Sequence, residues 1–112
     1  MAKYLQITTA GEFNTIDLGE FFAGLDDIYE ATKCQMVQIV QLEDGLTMWV
    51  DEEGKYSGRL VNDTATTLFW NAFGATDYIM GDILLTGDED SEGRLLGFSD
   101  ERIAEIQNDL TL

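Results

Sequence analysis

Two hairpins are predicted from stretches in which β-forming and polar residues alternate. The first joins residues 3–8 and 12–18 through a turn at Ala10 and Gly11, since glycine marks the break. The second joins residues 34–42 and 46–51, and its Asp-Gly pair at positions 44 and 45 is a usual signal for a tight reversal. Residues 36–40 are apolar on both faces, which predicts that this strand is central. Cys34 begins the same strand and is interpreted as a small buried hydrophobe.

A helix is predicted from Glu20 to about Thr32, because apolar positions there recur on one helical face. We expect this helix to cover one face of the sheet through Phe21, Phe22, Leu25 and Ile28. If Leu25 is buried in this way, its replacement by alanine costs about 2 to 5 kcal/mol of stability.

Two more helices are predicted from their capping residues. One begins at Asn62 or Asp63 and runs through Phe73 to Gly74, and the other follows Ser99. Between and around them, residues 55–61, 78–86 and 95–98 are predicted to be extended, with a bulge or kink at Gly81 in the middle segment. The whole chain, residues 1–112, is therefore expected to be one α+β domain with a small, mostly antiparallel sheet of five to six strands and two to three helices.

Charge changes this picture more than any other property of the composition. The 112 residues include 22 Asp and Glu but only 6 Lys and Arg, which gives a formal net charge of -16. A compact domain of this length is roughly 34 Å across, and the same length of duplex DNA carries roughly 20 phosphate charges. The net charge of the protein is therefore nearly that of one turn of DNA. Self-repulsion on this scale destabilises a compact fold.

The residues that are missing exclude several classes of function. There is no histidine and the single cysteine is Cys34, which removes intramolecular disulfides, ordinary structural zinc sites and Cys-His or Ser-His nucleophiles. No phosphate-binding glycine loop or nucleophile elbow is present, so we expect a protein that is not an enzyme and has no cofactor. No apolar run reaches membrane-spanning length, and we expect a cytoplasmic protein without membrane contact. Direct nucleic-acid binding is disfavoured because phosphates are repelled.

Three glycine-punctuated segments carry a resemblance to a known family. They are Asp51-Glu-Glu-Gly-Lys55 followed by Gly58 and Asn62, then Gly81 to Gly87, and finally Gly97-Phe-Ser-Asp-Glu101. The chain resembles, over nearly its whole length, an uncharacterised family of small bacteriophage and mobile-element proteins, known as a domain of unknown function. The resemblance implies residence in a phage or mobile element, where small accessory proteins often disarm host machinery, and it implies no catalytic or binding residue.

The acidic residues concentrate where they could imitate phosphates. Strand 46–51 separates two acidic turns by about 20 Å, comparable with six phosphates along one DNA strand. The candidate partner-binding residues are Glu20, Asp26, Asp27, Glu30, Glu43, Asp44, Asp51, Glu52 and Glu53. They predict an inhibitor that occupies the basic groove of a host nucleic-acid-binding protein, such as a restriction, CRISPR-type, repair or transcription protein.

Two alternatives stay open. Acidity can serve solubility alone, in a generic interaction or structural module that could form homo-oligomers; mimicry needs the acids on one continuous face, whereas solubility is served by an even distribution. The loop at Asp88, Asp90 and Glu92 matches alternate ligand positions of an EF-hand, but its twelfth position is Ser99 where a bidentate Glu is required. This loop therefore predicts at most weak binding of calcium or another small ligand.

Overall fold

The computed structural model describes residues 2–54 and 58–110, and these form an α+β fold, as predicted. Five strands and three helices are present in this part of the chain. In sequence order they are β1 (Lys3–Ile7), β2 (Phe13–Asp17), α1 (Leu25–Thr32), β3 (Val37–Glu43), β4 (Leu46–Asp51), α2 (Asp63–Phe73), β5 (Ile83–Thr86) and α3 (Asp100–Leu110).

The five strands form one antiparallel sheet in the order β2-β1-β5-β4-β3. The two predicted hairpins are confirmed as β1-β2 and β3-β4, and β5 joins them by pairing with β1 on one side and β4 on the other. All four residues of β5 are buried, because the strand lies at the centre of the sheet with neighbours on both edges and helices on both faces. The hairpins thus depend on a late segment of the chain to become one sheet.

Each face of the sheet has its own apolar cluster, because successive side chains of a strand point to opposite faces. On one face α2 and α3 contribute Ala65, Ile103 and Ile106 to a cluster with Met48 and Leu85 of the strands. On the other face α1 contributes Ile28 and Ala31 to a cluster with Tyr4, Trp49 and Leu84. The fold therefore has three layers, with two helices on one side and one helix on the other.

Helix α1 begins at Leu25, five residues later than predicted. Gly24 is its N-cap in an extended conformation, and the Asp27 carboxylate accepts a hydrogen bond from the Gly24 amide at 2.9 Å. Because residues 20–24 are not helical, Phe21 and Phe22 do not lie on the same helical face as Ile28. The predicted anchors were wrong except for Ile28: Phe21, Phe22 and Leu25 are 77%, 38% and 56% exposed.

Strand β3 was predicted to be central, and this was wrong. It lies at the edge of the sheet and, in the part of the chain that the structure describes, pairs only with β4. It is apolar on both faces because Val40 packs against the cluster on the α2 side and Val37 against the cluster on the α1 side. Ile39 is 57% exposed. Cys34 lies before the strand, is only half-buried, and its thiol is 3.1 Å from the Thr32 hydroxyl.

Three further extended segments were predicted from the sequence, and in the described residues only part of one of them forms a strand. The segment 78–86 becomes a strand only at Ile83, because Gly81 takes φ +83° and bends the chain, which confirms the predicted kink. Residues 55–57 lie outside the described residues, and from the same predicted strand Val61 makes an isolated bridge to Met80. Residues 95–98 form no strand, although Leu95 bridges to Glu89.

The predicted helix caps are confirmed. The Asn62 carboxamide oxygen accepts from the Ala65 amide at 3.0 Å, and Ser99 Oγ accepts from the Arg102 amide at 3.1 Å. The Gly74 amide closes α2 by donating to the Trp70 carbonyl at 2.7 Å. Within the described residues, no helix has both the length and the apolar character needed to cross a membrane.

Candidate functional site

Every lysine and arginine of the described residues is already bound to a carboxylate of the same chain. The pairs lie between 2.5 and 3.2 Å and hold strands, turns and helices together. They are Lys3 with Asp100, Lys33 with Asp82, Arg59 with Asp51, Arg94 with Asp90 and Glu92, and Arg102 with Glu43 and Glu105. None of these cations is left to neutralise another acid, so the excess negative charge faces solvent and any partner.

The predicted acids near α1 divide into exposed and structural residues. Glu20, Asp26 and Glu30 are exposed, and within the described residues their carboxylates make no ion pair. Asp27 is different, because it caps the helix through the Gly24 amide. Three of these four side chains are therefore free to meet a partner without cost to the fold.

The β3-β4 turn is joined to the loop that follows β5. Asp88 accepts hydrogen bonds from Gln41 Nε2 and the Gly45 amide, both at 2.9 Å. The Gln41 side chain is the main cause that lowers the pKa of Asp88 below its usual value, with the Gly45 amide next. In the turn itself Glu43 is bound by Arg102 of α3 at 2.8 Å, whereas Asp44 is exposed.

The same loop also contacts the segment that leads into α1. The Tyr4 hydroxyl donates to the Leu95 carbonyl at 2.7 Å and accepts from the Ala23 amide at 2.9 Å. Burial raises the pKa of Tyr4, so the phenol stays protonated as this bridge requires. The Arg94 guanidinium lies 4.9 Å from the centre of the Phe22 ring. The entry to α1, the loop and the β3-β4 turn therefore adjoin one another.

The acids of α1 and its entry, of the β3-β4 turn and of the start of the loop after β5 are considered together. We call this set the acidic face and define it by Glu20, Asp26, Asp27, Glu30, Asp44, Asp88 and Glu89. Five of these residues belong to the set predicted from the sequence. Asp88 was considered only as a calcium ligand and Glu89 was not among the candidate residues, and no local sequence signal places them beside the β3-β4 turn.

The predicted acids Asp51, Glu52 and Glu53 lie at the other end of β4, away from the β3-β4 turn. The Asp51 side chain is 5% exposed and binds Arg59. It also accepts from the Glu53 amide at 2.9 Å, so it stabilises the turn. Glu52 and Glu53 are exposed. The structure thus separates this group from the β3-β4 turn by the length of β4, while Arg59 joins it to the end of α1 by donating to the Lys33 carbonyl.

The loop with partial EF-hand spacing uses its carboxylates to shape its own turn. Asp90 accepts hydrogen bonds from the amides of Glu92 and Arg94 and from the Arg94 guanidinium, at 2.8 to 2.9 Å. The Arg94 amide is the main cause that lowers the pKa of Asp90. Among residues 2–54 and 58–110, no group of three or more Asp, Glu or Cys side chains is placed to hold a metal ion.

The helix α2 side carries several exposed apolar side chains. Leu60, Phe73 and Tyr78 are 72%, 49% and 56% exposed. Trp49, by contrast, is buried, and its indole donates to Thr86 Oγ1 at 3.0 Å. Helix α3 packs on this same side and carries Asp100, Glu101, Glu105 and Asp109, so acids lie on both sides of the sheet.

Comparison with known proteins adds a family and no function. No curated protein and no solved structure matches the chain. Residues 3–111 match the family described as Domain of unknown function (DUF3846), and the chain belongs to this family.

Proposed function

We propose that this protein is a non-enzymatic accessory protein of a phage or mobile element, which inhibits a host nucleic-acid-binding protein by presenting the acidic face in place of DNA. The observation that carries the proposal is that no described cation forms an ion pair with a member of the acidic face, and that Glu20, Asp26 and Glu30 are exposed. The resemblance to small phage and mobile-element proteins supports a host target, such as a restriction, CRISPR-type, repair or transcription protein.

The dimensions and charge of the molecule support this proposal. Its largest extent is 35 Å and its net charge is -16. Duplex DNA of the same length carries roughly 20 phosphate charges. A basic groove that binds DNA by releasing counterions gains the same favourable term from these carboxylates. The exposed acids of α1 provide that charge without supporting the fold, so selection for binding explains them better than selection for stability.

The test uses two variants with the same change in charge. The first replaces Glu20→Gln, Asp26→Asn and Glu30→Gln on the acidic face, and leaves the capping Asp27 intact. The matched control replaces Asp63→Asn, Glu101→Gln and Asp109→Asn, which are exposed residues of α2 and α3 on the other side of the sheet. Both variants lose three negative charges, so they differ in where the charge is lost.

Inhibition is measured in host cells as escape of a plasmid or phage from restriction and CRISPR-type interference. We expect the acidic-face variant to lose about tenfold or more of the protection and the control to keep it. A short duplex DNA is expected to compete with the protein for its target, and binding is expected to weaken between about 50 and 200 mM salt. Equal activity of both variants, or a target without a basic nucleic-acid-binding surface, contradicts the proposal.

A second candidate is an interaction module without mimicry, favoured by the exposed apolar side chains of the α2 side. In that case partner binding depends on Phe73 and Tyr78 and survives neutralisation of the acidic face. Replacing both aromatic residues by serine, beside the acidic-face variant, separates the two functions in the same pull-down.

A further inference from the structure

Among residues 2–54 and 58–110, no strand pairs with one row of the backbone groups of β3. The Met36 carbonyl accepts from the Glu52 amide at 2.8 Å, so residue 36 points its backbone toward β4. Backbone direction alternates along an antiparallel strand, so Gln38 and Val40 also point toward β4. The backbone groups of Val37, Ile39 and Gln41 therefore point away from the sheet, at its edge.

From Val37 to Gln41 this edge lacks most of the features that normally prevent another strand from pairing. Natural edge strands are protected by lysine, proline, inward charges, β-bulges or very short length, and in β3 the register irregularity lies at the end of the strand, between Gln41 and Glu43. Residues 37–42 include no charged residue and no proline, and β3 is the longest strand of the sheet. At the opposite edge, β2 exposes the polar Asn14, Thr15 and Asp17 instead. Only β3 exposes a large aliphatic side chain, Ile39, in the middle of an edge.

A hollow flanks β3 on each face of the sheet. On the α2 side, Gln38 and Val40 line a cavity of about 190 Å³ with Phe69, Ile79 and Glu52. On the α1 side, Ile39 and Gln41 line a cavity of about 260 Å³ with Trp49, Leu95 and Glu89. Each hollow thus combines an apolar wall with an exposed carboxylate. Lysine and arginine fit such a site, because the aliphatic stem packs on the wall while the charged end reaches the carboxylate.

We propose that β3 accepts an extended segment of a basic partner, which adds to the sheet as a sixth strand. Main-chain hydrogen bonds to Val37, Ile39 and Gln41 hold the segment, and neighbouring basic side chains enter the hollows on opposite faces. The proposal rests on the proposed function, because it takes the partner to be basic. Charge complementarity selects this occupant over a second copy of the chain, which would bring another -16 charge to the same edge.

The probe is a synthetic nine-residue peptide with blocked ends, in which threonine and valine alternate around two adjacent central lysines. Adjacent residues of a strand point to opposite faces, so the two lysines reach the two hollows. One control peptide has two central glutamates. A second control keeps the lysines but carries N-methyl groups on alternate backbone nitrogens, which removes the main-chain donors and keeps the charge.

Binding is measured by NMR titration of the labelled protein. We expect submillimolar affinity for the lysine peptide, with the largest shifts at the amides of Val37, Ile39 and Gln41. N-methylation is expected to weaken binding by about tenfold or more, since at least two hydrogen bonds are lost. The glutamate peptide is expected not to bind. In the protein, Ile39→Pro removes the backbone N–H of residue 39, which points away from the sheet and is not used by β4. The double variant Glu52→Gln with Glu89→Gln removes the carboxylate charges of the two hollows.

Three outcomes overturn the proposal. Equal affinity for the N-methylated peptide shows attraction by charge alone, and shifts confined to the amides of α1 place the peptide elsewhere. Shifts at the β3 amides that grow with protein concentration, without peptide, identify a second copy as the occupant. The proposed function fails separately, because DNA competition and the acidic-face variant test it without changing β3.

Discussion

The burial of α1 can be tested with two isomeric side chains on the same helix. Ile28 is 1% exposed and packs in the cluster that contains Tyr4, Trp49 and Leu84, whereas Leu25 is 56% exposed in the first turn. Replacement of either by alanine removes three carbon atoms. Any difference in stability between Ile28→Ala and Leu25→Ala therefore reports where the side chain lies and not how much is removed.

The expected sizes follow from burial. Ile28→Ala removes buried carbons and leaves a cavity between helix and sheet, which costs about 2 to 5 kcal/mol. Leu25→Ala changes a largely exposed position, so its effect is expected within about 0.5 kcal/mol. For a domain of this size, 1 kcal/mol corresponds to roughly 4 °C, so the melting temperature is expected to fall by roughly 8 to 20 °C in one variant and hardly at all in the other.

Urea denaturation, monitored by tryptophan fluorescence, measures the free energy of unfolding of both variants, since Trp49 belongs to the same cluster as Ile28. About 0.5 M NaCl in the buffer shortens the screening length and keeps a weakened variant folded against the self-repulsion of the chain. Ile28→Val is the graded control and is expected to cost about 0.5 to 1.5 kcal/mol. Equal losses for Leu25→Ala and Ile28→Ala would refute this account of α1.

Asn62→Ala is expected to cost about 3 kcal/mol or more in urea denaturation, because the buried carboxamide caps α2 and donates to the carbonyls of Ile7 and Gly81 at 2.9 to 3.0 Å; a loss below about 1 kcal/mol contradicts this role. Gly97→Ala is expected to destabilise the fold strongly, since an added Cβ would lie 2.6 Å from the Lys3 amide nitrogen, and a melting temperature like that of the parent protein shows that this approach is not needed. In an NMR pH series the carboxyls of Asp88 and Asp90 are expected to titrate below the ordinary pKa of 3.8. Because the fold lowers both pKa values, the stability that these groups add is present above pH 3.8 and is lost as the pH falls through the folded pKa. Titration midpoints at or above 3.8 overturn the hydrogen bonds described for this loop. Calorimetry is expected to show no calcium binding tighter than about millimolar, since the oxygens of both side chains already accept hydrogen bonds, and a micromolar isotherm reverses that conclusion.

The parts of the fold that the sequence predicts well are those decided within a few residues. Asn62 and Ser99 begin helices and Gly74 ends one, each through a contact to a residue three or four positions away. The side chains of Asn62 and Ser99, and the backbone freedom of glycine, therefore identify these positions in the sequence. The two hairpins follow from alternation and a turn, which are also local. Gly81 was recognised as a kink because glycine tolerates the left-handed backbone found there.

The misassigned parts depend on contacts between distant segments. Apolar residues on both faces of β3 are compatible with a central strand or with an edge flanked by separate clusters, and only the position of β5 decides between them. The same holds for the acidic face: Asp88 meets the β3-β4 turn, 43 residues earlier, because β5 pairs with β4. The prediction that Leu25 is buried was wrong for a more local reason. Gly24 and Asp27 begin the helix too late for the predicted apolar side chains to lie together on one helical face.

Salt concentration separates the two proposed modes of binding by physical cause. Contact through the acidic face is an exchange of counterions, so its affinity falls steeply as salt rises. Addition of a strand to β3 combines main-chain hydrogen bonds with only two charge contacts, at Glu52 and Glu89, so its salt dependence is shallow. A partner that uses both surfaces therefore shows a steep loss of affinity at low salt that levels off at higher salt. Ile39→Pro removes the residual binding at high salt, whereas neutralisation of α1 removes the steep component.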